Sequence, residues 1–91
     1  MAWSVEFQPK AEQDLQKLGS DNARRIISFL NQRLAQLDDP RSLGEAQQGS
    51  KYKSLWKYRV GDFRILAEIE DRTIKIVIVR IGHRREIYRS R

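Results

Sequence analysis

Leu55-Trp-Lys-Tyr-Arg-Val-Gly-Asp-Phe-Arg-Ile-Leu-Ala-Glu-Ile69 decides the fold of this chain. Two runs rich in aromatic and aliphatic residues flank Gly61-Asp62, a dipeptide suited to a tight reversal. Residues 55–60 and 63–69 are therefore predicted to form a β-hairpin. Side chains alternate across a strand. Trp56, Tyr58 and Val60 share one side, with Leu55, Lys57 and Arg59 on the other. Past the turn, Phe63, Ile65 and Ile69 oppose Arg64, Leu66 and Glu68. The apolar set suits a packed face, which leaves Lys57, Arg59 and Arg64 on an open face near the turn.

Working outward, Glu70-Asp71-Arg72 reads as the next turn, and the β-branched run 73–81 as the central strand. On the other side, 39–54 reads as a loop, with one Pro, two Gly, three Ser and no periodicity. Before it, Ala23, Ile26, Ile27, Leu30, Leu34 and Leu37 form one apolar stripe of helical period. Ser20 or Asp21 caps that helix, and Asp38-Asp39-Pro40 ends it. Ala11, Leu15 and Leu18 mark an earlier helix, opened by Pro9 and closed by Gly19. The short gap between the helices predicts an antiparallel hairpin. Residues 3–7 alternate as a half-buried strand. The order β-α-α-β-β-β predicts an α+β fold, a small, mostly antiparallel sheet with the helix hairpin packed on one face.

Ninety-one residues make a single domain, 1–91. With no cysteine, a disulfide scaffold and a thiolate zinc site are excluded. The N-terminus carries no signal-peptide pattern and no run is long enough to span a bilayer, so the expected location is cytoplasmic, with no membrane partner. Net charge is +6 and unevenly spread. Residues 1–50 hold six Lys/Arg and seven Asp/Glu, a net of −1; residues 51–64 hold five and one, a net of +4. Residues 65–74 hold one and three, a net of −2; residues 75–91 hold six and one, a net of +5. Two basic segments of this kind suit a polyanion, either nucleic acid or an acidic protein. Arg24, Arg25 and Arg33 lie on the second helix, but acids in the same half cancel their charge, so a helix reading a DNA groove is poorly supported.

A cation cluster suits cleavage of an RNA phosphodiester. Arginine stabilises the phosphorane by bidentate bonding to phosphate oxygens. Deprotonating the 2′-OH and protonating the 5′-oxygen need groups that exchange protons. The candidates are His83, Tyr88 and a lysine among other cations. With one histidine, a two-histidine mechanism is impossible. Each residue also has a structural reading. His83 could be a surface histidine and Tyr88 an anchor for the C-terminus. Arg59 and Arg64 could be cross-strand partners of Glu68 or Glu70. Trp3, Trp56 and Tyr58 read as core. No acidic spacing suggests a metal site, and no motif suggests a cofactor.

The element order, the segment Leu55–Leu66 and the ending Arg80-Ile-Gly-His-Arg-Arg-Glu-Ile-Tyr88 resemble the RelE/ParE superfamily of type II toxin–antitoxin toxins, and the RelE branch in particular. The resemblance covers essentially the whole chain. It implies a metal-independent endoribonuclease that enters the ribosomal A site, cuts mRNA there and stops translation. It also implies an acidic, RelB-like antitoxin, and operator DNA contacted only through the toxin–antitoxin complex. Carried over by position, the catalytic set is Lys57, Arg64, His83, Arg84 and Tyr88. Arg64 and Arg84 would stabilise the phosphorane, Tyr88 would orient a base or assist proton transfer, and Lys57 would serve as base or charge stabiliser. Lys51, Lys53, Arg59 and Arg85 would bind RNA. The chain departs from the pattern at Leu55, where some RelE toxins have lysine, and at His83, a position that is often lysine. His83 is thus a second candidate for the general base, because histidine titrates near neutral pH. The same fold also carries ParE-like toxins that poison DNA gyrase without nuclease activity. A catalytically inactive binding module is a third reading.

Overall fold

The computed structural model describes residues 2–46 and 55–83. In chain order the elements are β1 (Ser4–Phe7), α1 (Pro9–Lys17), α2 (Ser20–Ser28), β2 (Glu45–Ala46), β3 (Leu55–Val60), β4 (Phe63–Glu70) and β5 (Lys75–His83). One five-stranded sheet has the order β1-β5-β4-β3-β2. β1 runs parallel to β5, and the other three pairings are antiparallel. The α+β reading therefore holds, but the central strand is β4; β5, expected to be central from its β-branched run, is an interior strand between β1 and β4.

The hairpin forms as its pattern dictates. Gly61 has φ 59, and among the described residues the only non-glycine with positive φ is Ile74. A positive φ at the first turn position alone is the pattern of a type II′ hairpin turn, whose twist matches its strands. Trp56, Tyr58, Val60, Phe63, Ile65, Ala67 and Ile69 all join the core beneath the helices, together with Ala11, Ile26, Leu30, Leu34, Ile76, Ile78 and Ile81. The opposite face keeps a small apolar island, Leu55 and Leu66 with Val79 against them. Trp3 anchors β1 to the helical layer: its backbone N–H donates to the Ala35 carbonyl at 2.8 Å, and its indole to that of Asp38 at 3.3 Å.

Three local expectations are corrected. The long second helix is not uniform. Its α-helical part ends at Ser28, a π-helical turn follows over Phe29–Arg33, and a 3-10 turn over Leu34–Gln36. Ile26, Leu30 and Leu34 are all fully buried. Steps of four residues drift by about 40° in an ideal α-helix. The wider π turn rotates less per residue, which offsets the drift and keeps Leu34 on the core.

The predicted loop 39–54 holds structure in its described part. Asp39 caps a 3-10 turn over Pro40–Leu43 through the Arg41 N–H, and β2 follows. Residues 47–54 lie outside the described residues. Two residues were too short a strand to show a period. Gly44 is required there by close approach: a Cβ would sit 2.7 Å from the Tyr58 ring. Finally, β5 begins at Lys75, because Asp71–Ile74 is consumed by the turn, with Ile74 at φ 51.

Candidate functional site

The open face near the β3–β4 turn is built by register. Arg59 lies directly opposite Arg64, Lys57 opposite Leu66, and Arg64 opposite Gly82 on β5. Three predicted site residues, Lys57, Arg59 and Arg64, therefore share one face. Glu68 lies opposite Leu55 and Val77, and Glu70 opposite Lys75. The alternative in which these acids are the direct cross-strand partners of Arg59 or Arg64 is not realised.

Arg64 is the most unusual of the three. It is 8% exposed, the single buried charged residue among those described. Its Nη1 donates to the carbonyls of Gly61 at 3.2 Å and Phe63 at 3.0 Å, which ties the guanidinium to the hairpin turn. Among the described residues no carboxylate pairs with it. A buried charge without a counter-ion is costly. A like charge directly opposite on the neighbouring strand adds to that cost. Folding alone gives no reason to keep two arginines in this arrangement, which makes the pair a candidate site for an anion.

Lys57 is placed differently. Its Nζ meets Glu45 Oε1 at 3.2 Å, and the two residues are direct partners across β2 and β3. The short strand missed by periodicity thus supplies a carboxylate beside a candidate catalytic lysine. His83 is the last residue of β5 and lies opposite Phe63, with the rings edge to face at 6.1 Å. Paired residues share a face. Phe63 packs on the core side, so His83 lies on that side of the sheet and not with Arg59 and Arg64. Lys51, Lys53, Arg84, Arg85 and Tyr88 lie outside the described residues.

Sequence reasoning passed over a second basic region. A trough of about 700 Å³ runs between α2 with its π turn and the end of β3. Arg24, Arg25, Arg33 and Arg59 line it, with Asp21 as the single acid and Phe29 as the aromatic. The Arg33 guanidinium lies over the Phe29 ring, 5.9 Å from its centroid. A smaller hollow of about 260 Å³ shares Phe29, Arg33 and Arg59 and adds Lys57 and Glu45. Charge counting hid this region because the N-terminal half is nearly neutral. Its acids are mostly engaged elsewhere: Glu6 with Lys75, Asp14 with Arg80, Asp39 with Arg41 and Glu45 with Lys57.

Comparison with known proteins agrees with the architecture. Residues 5–88 match the family described as the ParE toxin of type II toxin–antitoxin systems. Toxin RelG of Mycobacterium tuberculosis is 29% identical over 89 residues, 98% of this chain and 99% of that one. Among solved structures, a RelBE toxin–antitoxin complex from M. tuberculosis superposes with a TM-score of 0.82 at 25% identity, covering 91% of this chain and 92% of that one. The fold is also that of free E. coli RelE carrying two arginine-to-alanine changes, with a TM-score of 0.71 at 22% identity over 98% of this chain and 93% of that one. A fold, a face and a family match spanning nearly the whole sequence lead to one assignment: this chain belongs to the ParE toxin family of type II toxin–antitoxin systems, within the RelE/ParE superfamily.

Proposed function

We propose that this toxin is a ribosome-dependent, metal-independent endoribonuclease that cuts mRNA in the A site and so stops translation in the cytoplasm. The observation that carries the reading is the buried Arg64, tethered at the hairpin turn without a carboxylate partner among the described residues and facing Arg59 across the strands. Such a pair offers planar N–H donors to two phosphate oxygens as negative charge grows on the phosphorane. Lys57 adds charge on the same face. Arg84 extends the phosphorane contacts, and Tyr88 orients a base or assists proton transfer. The proton leaving the 2′-OH goes to Lys57 or His83; Lys57 shares the face of Arg59 and Arg64, whereas His83 sits at the end of β5 on the other side of the sheet. Lys51, Lys53, Arg59 and Arg85 hold the RNA strand.

A small open sheet cannot enclose mRNA and align its 2′-OH by itself. Positioning of that kind is worth many powers of ten in rate, and here the ribosome supplies it. The partner that silences the toxin is an acidic, RelB-like antitoxin, in keeping with the related RelBE structures solved as toxin–antitoxin complexes. Operator DNA is bound through that complex.

The test is a map of mRNA 5′ ends by primer extension in a purified translation system, with chelator present. New ends inside the A-site codon that need ribosomes, and that vanish with Arg84→Ala or Tyr88→Phe, are the expected result. Intact mRNA with folded, growth-arresting toxin would sink the nuclease reading. The ParE description of the matched family favours a second reading, gyrase poisoning, and a supercoiling assay would then decide it.

A further inference from the structure

The trough between α2 and β3 is too strongly charged to be an accident of surface composition. Its lining carries four arginines and one aspartate, a net of +3; three of those arginines and the aspartate, a net of +2, come from residues 1–50, whose net charge is −1. Arg24, Arg25, Arg33 and Arg59 make no ion pair among the described residues, whereas Arg41, Lys57, Lys75 and Arg80 all do. Lys10, Lys17 and Arg72 are also without an ion pair among the described residues, but only in the trough do four such cations line one hollow.

Two further features point to a ligand. The helix changes to a π turn at Phe29–Arg33, on this wall of the trough, and π turns in helices frequently mark functional sites. Phe29 and Arg33 from that turn supply a stacked aromatic and guanidinium between the other cations. The trough is also continuous with the open face. Arg59 lines it and is at the same time the direct cross-strand partner of Arg64.

We propose that this trough is a phosphodiester track, which takes the sugar–phosphate backbone of single-stranded RNA as it passes round the β3 edge from the Arg59–Arg64 face. The inference deepens the nuclease reading and rests on RNA being the substrate. Guanidinium forks on both walls match successive phosphates, and an aromatic among them offers a platform for a base. The backbone would be held by Arg24 and Arg33 on α2 and its π turn and by Arg59 on β3. Arg25 is set against the turn: its Nη2 lies 3.0 Å from where a Cβ on Gly61 would be, so it frames the mouth of the track.

The test uses the whole protein and a fluorescein-labelled, 2′-O-methylated oligouridylate, which binds but cannot be cut. Affinity is measured by anisotropy over a series of salt concentrations. Each phosphate contact on a single strand contributes about 0.7 to the slope of log K against log salt, so R24Q/R33Q is expected to lower that slope by about 1.4. K10Q/K17Q removes the same charge from α1, outside the trough, and is expected to keep the wild-type slope. R24Q alone, at an exposed position, should lose about half as much and guards against a folding defect in the double variant. A wild-type slope in R24Q/R33Q, or an equal loss in K10Q/K17Q, overturns the track. So does an unchanged RNA slope with weakened binding to poly-glutamate, which would assign the trough to an acidic peptide. If the wild-type protein itself shows no salt-dependent RNA binding, the track falls, while the nuclease reading is judged separately by the map of mRNA 5′ ends; loss of both overturns the two together.

Discussion

Two arginines on neighbouring strands of this sheet live under opposite conditions. Arg80 on β5 donates from Nε to Asp14 Oδ2 at 2.8 Å, and the same carboxylate oxygen accepts the Ile81 N–H at 3.0 Å. β1 stops pairing at Ile78, so the edge of β5 beyond it needs another acceptor, and α1 provides it. Arg64 on β4 is more deeply buried, yet among the described residues it has only backbone carbonyls for company and Arg59 across from it. The first arginine closes a seam between helix and sheet. The second has no carboxylate match among the described residues, the condition expected of a charge that meets a ligand under the proposed function. One corner of the molecule is built for stability, and the other gives some stability up, as the proposed site would require.

Breaking each corner should therefore have unlike consequences. The largest expected effect is catalytic: Arg64→Met should reduce A-site cleavage by about 10²–10³-fold, the usual cost of losing one preorganised donor at a charged transition state. Its thermal unfolding midpoint should stay close to wild type, and a large drop in that midpoint would show that Arg64 is structural after all. Asp14→Ala should do the reverse. It strands a partly buried guanidinium and a backbone N–H, so urea titration should show a loss of about 3 kcal/mol, with cleavage per folded molecule retained.

The packed side also carries its own titration. Tyr58 is fully buried, and its hydroxyl donates to the Pro40 carbonyl at 2.9 Å. Burial pushes its pKa up to about 12, from the ordinary 10.0. In the unfolded chain the phenol loses its proton near pH 10, while the folded protein holds it. Stability is thus intact below pH 10 and falls as pH rises towards 12, by roughly 2–3 kcal/mol from this group. Urea midpoints followed across that window should lose this component in Tyr58→Phe, whereas Arg59→Thr should leave it in place. The smallest effect sharpens the comparison most directly. Arg59→Thr removes a like charge facing Arg64 and should raise stability by about 0.5 kcal/mol, measurable as a small upward shift of the urea midpoint.

The sequence made the hairpin legible because alternation over Leu55–Ile69 is strict enough to assign both faces, and Tyr58, Ile65 and Arg64 lie where that period puts them. It could not reveal Asp14 as the partner of Arg80. That contact needs the register shift at Leu66/Ala67 and the early end of β1, which are properties of pairing and not of either strand. His83 was grouped with the arginines by its place in the chain, but its register opposite Phe63 puts it on the other side of the sheet. The trough escaped notice for a related reason. Charge was summed along the chain, whereas Arg24 and Arg33 meet Arg59 only after the helix folds back on the sheet.

The parallel pairing of β1 with β5 has a consequence for how the chain is born. Ser4–Phe7 is synthesised some seventy residues ahead of its partner Lys75–Ile78. Contacts so distant in sequence close slowly. While the nascent chain waits, β1 has no strand to lie against and the helices have no sheet to cover. The Arg59–Arg64 face cannot be presented until nearly all of the described chain has left the ribosome. For a toxin, late completion separates the making of the molecule from the onset of its activity.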